Sequence, residues 1–120
     1  MAAISVESFT DLAIVECRGR IIHSDAVFKL RDAVQSQDDA RVIAVDLSEV
    51  KAIGGAGLGM LVFLEHWARE NGIQLKLFSP SEQVMEALAP YRAIANFEIA
   101  SMQEMMGLLA QYDYPQLLAA

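Results

Sequence analysis

Side chains that could perform chemistry are few in this chain, and their spacing matches no catalytic arrangement. Nucleophilic catalysis needs a nucleophile beside a base, and general acid–base catalysis needs paired groups in a cleft. His23 and Ser24 are adjacent in sequence, which does not bring their side chains together, and Cys17 on an alternating segment is typical of a core or edge thiol. His66 is predicted to be a solvated surface histidine. The sequence therefore predicts a protein without enzymatic activity.

Metal sites and disulfides are unsupported by the composition. The chain has one cysteine and two histidines, so an internal disulfide is excluded and no tetrahedral zinc set stands at a recognisable spacing. We expect no metal and no cofactor. A lone cysteine is typical of the reducing cytoplasm, where we expect the protein to reside.

Charge and hydropathy narrow the classes of partner. Nine Lys and Arg residues against sixteen Asp and Glu residues give a net charge of −7, which repels phosphate backbones and anionic membrane surfaces. The longest uncharged stretch, residues 52–64, is rich in glycine and shorter than the roughly 20 apolar residues that span a bilayer. Residues 1–10 contain Glu7 and no basic residue, unlike a secretory leader. We expect no nucleic-acid partner and no direct membrane insertion.

An alternation of strand and helix patterns predicts an α/β fold in a single domain. Short β-branched runs flank Thr10 and Asp11 and predict an antiparallel hairpin, and the apolar run 42–45 predicts a central parallel strand that ends at Asp46. The predicted strands cover residues 4–9, 12–17, 42–45, 73–78 and 97–99. The predicted helices cover residues 25–35 and 57–71, a segment ending before Pro90, and a segment from Ser101 to about Gln111. This order predicts a mixed, mostly parallel β-sheet with an N-terminal antiparallel hairpin and about four helices covering it.

Polar residues and glycine mark the predicted helix ends. Ser24 is predicted to cap the helix 25–35, and Gly72 is predicted to be the left-handed residue that ends the helix 57–71. Two capping boxes are predicted at the later helix starts: Ser79 with Glu82, with Pro80 at the first helical position, and Ser101 with Glu104.

The domain is predicted to cover residues 1–111, followed by an apolar C-terminal tail over residues 112–120. Tyr114, Leu117 and Leu118 in this tail favour either folding back on the domain or joining two chains. A homodimer is therefore left open.

Glycines are concentrated after the predicted central strand. Four of the seven fall within residues 54–59, where a loop could adopt positive φ and present unpaired N–H groups to an anion or a phosphorylated side chain. The known phosphate loops do not match: a Walker A loop needs Lys after its last glycine, and dinucleotide fingerprints need a small residue at Met60 or Val62. The alternative, that the glycines only let helix and sheet pack closely, is left open.

Two polar residues precede the glycines. Asp46 at the predicted strand end is expected to accept hydrogen bonds from loop N–H groups, and Ser48 is expected to be a second loop anchor. Both are given structural rather than catalytic roles.

A longer signature is formed by Asp46-x-Ser48, the apolar Ile53 and Gly57-x-Gly59-x-Leu61. It resembles the signature of STAS domains, the anti-sigma factor antagonist family, and the predicted element order matches that fold over almost the whole chain. The resemblance implies a non-enzymatic switch module. It also implies a kinase-like anti-sigma factor as partner, which in typical members phosphorylates a Ser or Thr at the start of the helix that Gly57 opens here.

The chain departs from the family pattern where the acceptor would stand. The positions that usually hold Asp, Ser, Ser or Thr, and Gly are occupied here by Gly54, Gly55, Ala56 and Gly57. Residues 54–56 have no hydroxyl, so no phosphorylation is expected at Gly55, where the charged phosphate would work the switch. Ser24 is the remaining phosphorylation candidate, because some multi-domain relatives carry a second site in that region.

These observations predict a protein-interaction module that binds its partner through the loop and the adjoining helix starts. The predicted partner-binding residues are Ser24, Asp46, Ser48, Gly54, Gly55, Ala56, Gly57, Gly59 and Met60. Trp67, if exposed, is the predicted interface anchor. Two alternatives stay open: an accessory subunit of a membrane transporter for lipid or anion transport, and a sensor of a small anion or nucleotide bound at the glycine loop.

Overall fold

The computed structural model describes the backbone of residues 2–119 and the side chains of residues 2–111. The strands are β1 (Ala2–Ser8), β2 (Leu12–Ile21), β3 (Val42–Ile53), β4 (Gln74–Phe78) and β5 (Glu98–Ala100). The helices are α1 (Ser24–Gln35), α2 (Gly55–Glu70), α3 (Glu82–Leu88) and α4 (Met102–Ala119), with a 3₁₀ turn at Ala89–Ala93. No helix in this described part of the chain is both long enough and apolar enough to cross a membrane.

The five strands form one sheet in the order β1-β2-β3-β4-β5. β1 and β2 pair antiparallel across a tight turn, in which Asp11 has a φ of 64°, and every other neighbouring pair is parallel. The parallel pairs need crossovers, which α1, α2 and α3 supply. The predicted α/β fold with an N-terminal hairpin and four covering helices is confirmed.

Alternation along the strands produces two cores, one on each face of the sheet. The larger core holds Val15 and Val45 from the central strands, Leu30 of α1, Leu61 of α2 and Leu88 of α3. The smaller core lies on the opposite face, where α4 contributes Met105. Its strand and strand-end residues are Leu12, Ile14, Val42, Ala44 and Phe78. Three helices therefore cover one face, and α4 covers part of the other.

Two predicted strand ends were wrong. β2 continues past Cys17 to Ile21, and β3 continues past Asp46 to Ile53. The extensions pair with each other through two register shifts, each of which inserts one extra residue in β3. The bulges break the two-residue alternation of buried and exposed side chains. The sequence after Asp46 therefore predicts an irregular loop, although its backbone pairs with β2.

The predicted helix caps divide into confirmed and incorrect ones. At the start of α4 the Ser101 hydroxyl accepts from the Glu104 N–H at 3.2 Å, and a Glu104 carboxylate oxygen accepts from the Ser101 N–H at 3.3 Å. Gly72 has a φ of 68°, as predicted. Ser79 does not cap α3: its N–H donates to the Ala100 carbonyl, and the Ser81 hydroxyl instead accepts from the Val84 N–H.

The expected cap of α1 by Ser24 was also wrong. Ser24 is already helical, and the N-cap position belongs to His23, whose side chain makes no capping hydrogen bond in the described structure. The chain leaves β2 and turns into α1 within two residues, Ile22 and His23, so the helix begins one residue earlier than the polar pattern predicts.

The backbone of α4 runs to Ala119, beyond the end predicted near Gln111. The expectation that Tyr114, Leu117 and Leu118 fold back or join two chains falls on residues 112–120, which lie outside the described side chains.

Candidate functional site

Asp46 and Ser48 form a local pair on β3. One carboxylate oxygen of Asp46 accepts hydrogen bonds from the Ser48 N–H at 2.9 Å and from the Ser48 hydroxyl at 2.6 Å. Asp46 thus accepts from a backbone N–H, as expected, but the N–H belongs to a bulged strand rather than to a loop. The pair stabilises the first register shift of β3.

The same extension of β3 separates this pair from the glycines. Seven residues of strand lie between Asp46 and Gly54, which corresponds to roughly 20–25 Å of extended backbone. The predicted binding set therefore divides in two. Asp46 and Ser48 belong to the middle of the strand, whereas the glycines stand at its far end.

The junction between β3 and α2 is a single residue, Gly54. Its N–H donates to the Ile21 carbonyl and its carbonyl accepts from the Leu58 N–H, both at 3.0 Å. Its φ is −93°, and the described glycines with positive φ are Gly19 and Gly72. The expected open loop with positive φ is therefore wrong: Gly55 already begins the helix.

The glycines of this turn differ in what surrounds them. A methyl group built at Gly57 would lie 2.8 Å from the Ile53 side chain and 2.9 Å from the Ile21 carbonyl oxygen, closer than real contacts allow. Built at Gly55 or Gly59, it would meet no described atom within 4 Å. Close packing of helix on sheet explains Gly57, and it does not explain the two exposed glycines.

The starts of α1 and α2 lie side by side. A methyl group at Gly54 would be 3.6 Å from Ile22 Cγ2, in ordinary contact, and Ile22 directly precedes the N-cap of α1. Ile22, Ser24, Gly55, Ala56 and Gly59 are all exposed. We call these five residues the helix-start face. Ser24, Gly55, Ala56 and Gly59 belong to the predicted set, whereas Ile22 was not predicted. Met60, also predicted, follows Gly59 and has a half-buried side chain.

Two exposed aromatic side chains on the same helices were missed by the sequence analysis. Phe28 on α1 is 49% exposed and Phe63 on α2 is 48% exposed. Phe63 follows Gly59 by one helical turn, a spacing that could have revealed it. Trp67, the predicted anchor if exposed, is half buried and packs against the larger core. The Arg31 guanidinium lies 4.9 Å from the Phe28 ring centroid, which keeps this apolar ring beside a cation.

The far end of α2 is held by buried polar contacts. Glu65 is 7% exposed, and its Oε1 accepts from Arg69 Nη2 at 2.6 Å and from the Asn96 N–H at 3.2 Å. His66 Nε2 lies 2.8 Å from the Ile94 carbonyl oxygen, so it donates there. His66 is a partly exposed residue with a structural partner, not the freely solvated one predicted.

The candidate nucleophiles and bases do not meet among the described residues. Cys17 is buried, and burial, followed by the Asp46 carboxylate, raises the pKa of its thiol to about 12, so it stays protonated. His23 and Ser24 are adjacent in the chain, but no hydrogen bond joins their side chains in the described structure. Within residues 2–111 no group of three His, Cys, Asp or Glu side chains is placed to hold a metal ion.

The antiparallel hairpin, the parallel strands β2–β5 and the glycine-rich start of α2 define a STAS-type α/β domain. The sequence pattern of the STAS domain family matches residues 3–105, and the chain belongs to this family. No curated protein matches the chain significantly by sequence.

Solved structures with the same fold include anti-sigma factor antagonists. SpoIIAA in its unphosphorylated form has a TM-score of 0.70 at 14% identity, over 88% of this chain and 94% of SpoIIAA. An anti-sigma factor antagonist from Mycobacterium paratuberculosis has a TM-score of 0.70 at 17% identity, over 82% of this chain and 85% of that one.

A solute carrier contains the fold as well. SLC26A9 matches with a TM-score of 0.67 at 13% identity, over 92% of this chain and 21% of SLC26A9. The murine protein of that name is an anion transporter. At these identities the likeness shows a common fold, and it covers both a small regulatory protein and a domain of a transporter.

Proposed function

We propose that the chain is a non-enzymatic regulatory module of the anti-sigma factor antagonist type, which binds a kinase-like anti-sigma factor in the cytoplasm through the helix-start face. The observation that carries the proposal is the pair of adjoining helix starts. They expose a surface of glycine, alanine and Ile22, and Gly55 and Gly59 have no packing reason to be glycine. At Gly55, Ala56 and Gly59 no side chain is larger than a methyl group, so a partner can approach the backbone of α2 closely there.

Membership of the STAS family and the fold shared with SpoIIAA support the choice of partner class. The two exposed phenylalanines, on the same two helices, add apolar area of the kind that aromatic anchors supply at protein interfaces. The chain's negative charge favours a partner with a basic surface.

The module lacks the usual phosphorylation switch. Residues 54–56 carry no hydroxyl, and glycine at 55 cannot accept a phosphate. The open space around Gly55 would accept a serine side chain, so the absence of the acceptor is not forced by packing. We therefore propose constitutive binding at this face, with regulation supplied by another input.

A matched pair of substitutions tests the face. The partner is the kinase-like ATPase encoded nearest to this gene, and binding is measured by calorimetry. Gly59→Arg places a long charged side chain on the helix-start face and should weaken binding by about tenfold or more. Gly107→Arg is the control, because Gly107 is an exposed helical glycine on α4 with no described atom near its methyl position. Unchanged binding by Gly59→Arg, or equal loss by both variants, would contradict the proposal.

A second experiment tests the missing switch. Incubation with the same ATPase and ATP should leave residues 54–56 of the natural chain unmodified, and Gly55→Ser should gain one phosphate and lose binding. Stoichiometric phosphate on Ser24 of the natural chain would overturn constitutive binding, since Ser24 lies on the same face. Mass spectrometry of the intact and digested protein distinguishes these results.

An accessory subunit of a membrane transporter is the second candidate, supported by the match of SLC26A9 to 92% of this chain. Co-purification from the native organism separates the two functions. Recovery with a permease and its ATPase supports the transporter role, and recovery with an anti-sigma factor supports the regulatory one.

A further inference from the structure

A cavity of about 400 Å³ opens beside the helix-start face, between the start of β1, the end of β2 and the first turns of α1. Its size falls within the range of small-molecule sites. Three apolar residues, Ala2, Ile22 and Ala26, form part of its wall. The polar residues around it are Arg20, His23, Asp25 and Lys29.

The two basic side chains of this cavity, Arg20 and Lys29, belong to the four Lys and Arg residues that form no ion pair with a described carboxylate; the other two are Lys51 and Arg92. Arg18, Arg69 and Lys76 each form an ion pair with a carboxylate at 2.9 Å or less. Arg20 and Lys29 form none within 4.0 Å with any described carboxylate, Asp25 included, although the chain carries sixteen acidic residues. Two unpaired positive charges thus face one negative charge, in a protein whose net charge is −7.

We propose that this cavity binds a small organic anion, a carboxylate or phosphate monoester attached to an apolar group. The guanidinium of Arg20 presents a planar pair of donors that suits either anion, and the Lys29 ammonium adds a second charge. The apolar wall covers the organic part of the ligand. Inorganic anions would use the charges and leave that wall uncovered, so they bind more weakly.

Ile22 links the cavity to the proposed binding face. It lines the cavity and also stands next to Gly54, where the two helix starts meet. An anion in the cavity therefore changes the affinity of the partner, a step that rests on the function proposed above. Ligand binding by the isolated chain does not depend on that step, so the two can fail separately.

The test is a titration of the ¹⁵N-labelled full chain, followed by amide chemical shifts at constant ionic strength. The probes are phenyl phosphate, benzoate, inorganic phosphate and the neutral benzyl alcohol. Phenyl phosphate and benzoate should shift the amides of residues 20–29 with a Kd of about 1 mM or tighter. Inorganic phosphate should bind at least about fivefold more weakly, because it covers none of the apolar wall. Benzyl alcohol should cause no saturable shift.

Charge variants locate the site. The double variant R20Q/K29Q should weaken binding of phenyl phosphate by about tenfold or more. The control K51Q/R92Q removes two other basic residues that form no ion pair with a described carboxylate and that do not line the cavity, and it should bind as the natural chain does. Asp25→Asn removes a negative charge from the cavity and should tighten binding of phenyl phosphate about threefold, a gain that misfolding cannot produce.

Several results would overturn the proposal. These are absence of saturable shifts with both organic anions, equal losses in R20Q/K29Q and K51Q/R92Q, or binding of benzyl alcohol as tight as that of benzoate. Partner affinity is then measured with and without phenyl phosphate. Unchanged affinity removes the link through Ile22 while leaving the anion site in place.

Discussion

The two ends of α2 are built in opposite ways. At its start, Gly55 and Gly59 are exposed, no described side chain caps the helix, and one residue joins it to β3. At its end, the carboxylate of Glu65 is buried and holds both Arg69 and the backbone N–H of Asn96, and Gly72 terminates the helix in the left-handed conformation. The start is free for contact with another molecule, whereas the end is held within the domain.

The difference separates two tasks along one helix. At the start of α2 the exposed residues make no side-chain cap in the described structure and remain available to a binding partner. The hydrogen bonds of Glu65, which stabilise the helix, lie about three turns further along. Gly57 is the exception at the start, because it lies against the sheet and not against solvent. If this division is correct, adding a side chain at one of the glycines in the first turn of α2 should lower stability only at Gly57.

The largest effect is expected for Gly57→Ala. The added methyl group would lie 2.8 Å from the Ile53 side chain and 2.9 Å from the Ile21 carbonyl oxygen, so helix and sheet must move apart. We expect the free energy of unfolding to fall by about 3 kcal/mol, measured by urea denaturation. A loss below about 0.5 kcal/mol would show that the start of α2 yields easily and that its packing is not specified by this glycine.

Removal of the buried carboxylate at the other end should have the next largest effect. Glu65→Ala leaves the Asn96 N–H without its acceptor and a void beside the helix, and should lower the free energy of unfolding by about 2 kcal/mol. Glu70→Ala, at an exposed position of the same helix, is the control and should change it by less than about 0.5 kcal/mol. Equal effects of the two substitutions would remove the distinction between the two ends.

Cys17 lies in the larger core, and its raised pKa predicts that stability depends on pH. Its pKa is raised from 9.0 to about 12 in the folded protein, first by burial and then by Asp46. Between those pH values the unfolded chain loses the thiol proton and the native chain keeps it, so stability falls as pH rises, by about 1.4 kcal/mol per pH unit at most. The slope should appear as the difference between the natural chain and Cys17→Ala in urea denaturation. If the free energy of unfolding fell equally with pH in both proteins, the raised pKa of Cys17 would be contradicted.

The smallest effect is a gain. Gly59→Ala adds a methyl group where no described atom lies within 4 Å and replaces glycine inside a helix, so stability should rise by up to about 1 kcal/mol. Circular dichroism melting of this variant beside Gly57→Ala compares the same change at two positions two residues apart on α2, one packed against the sheet and one exposed. A loss of stability at Gly59 would show that the exposed glycines also serve packing.

The fold was predictable because its signals are local or periodic. Short β-branched runs, the apolar run at 42–45 and the capping pair Ser101 and Glu104 each act within a few residues. The order of these elements then allows few topologies, since parallel strands need crossover helices. The boundaries that failed, at Cys17 and Asp46, fail where register shifts break the alternation, because a bulge depends on the partner strand.

The candidate site was predictable only in part. The glycine run and Ser24 were grouped from the sequence, and the structure places Ile22, two residues before Ser24, next to Gly54. Asp46 and Ser48 were grouped with them because β3 was expected to end early. Phe28 and Phe63 were missed because exposure of a single aromatic residue on an amphipathic helix depends on how the helix is rotated against the sheet.

The sequence by itself determined the order of strands and helices, the membership in the STAS family and the absence of a hydroxyl at residues 54–56, since these follow from local pattern and residue identity. Only the tertiary structure decided which glycine is required for packing and which side chains surround the cavity at Arg20 and Lys29. Those properties depend on distances between residues far apart in the chain, and such distances exist only after the sheet and helices have packed.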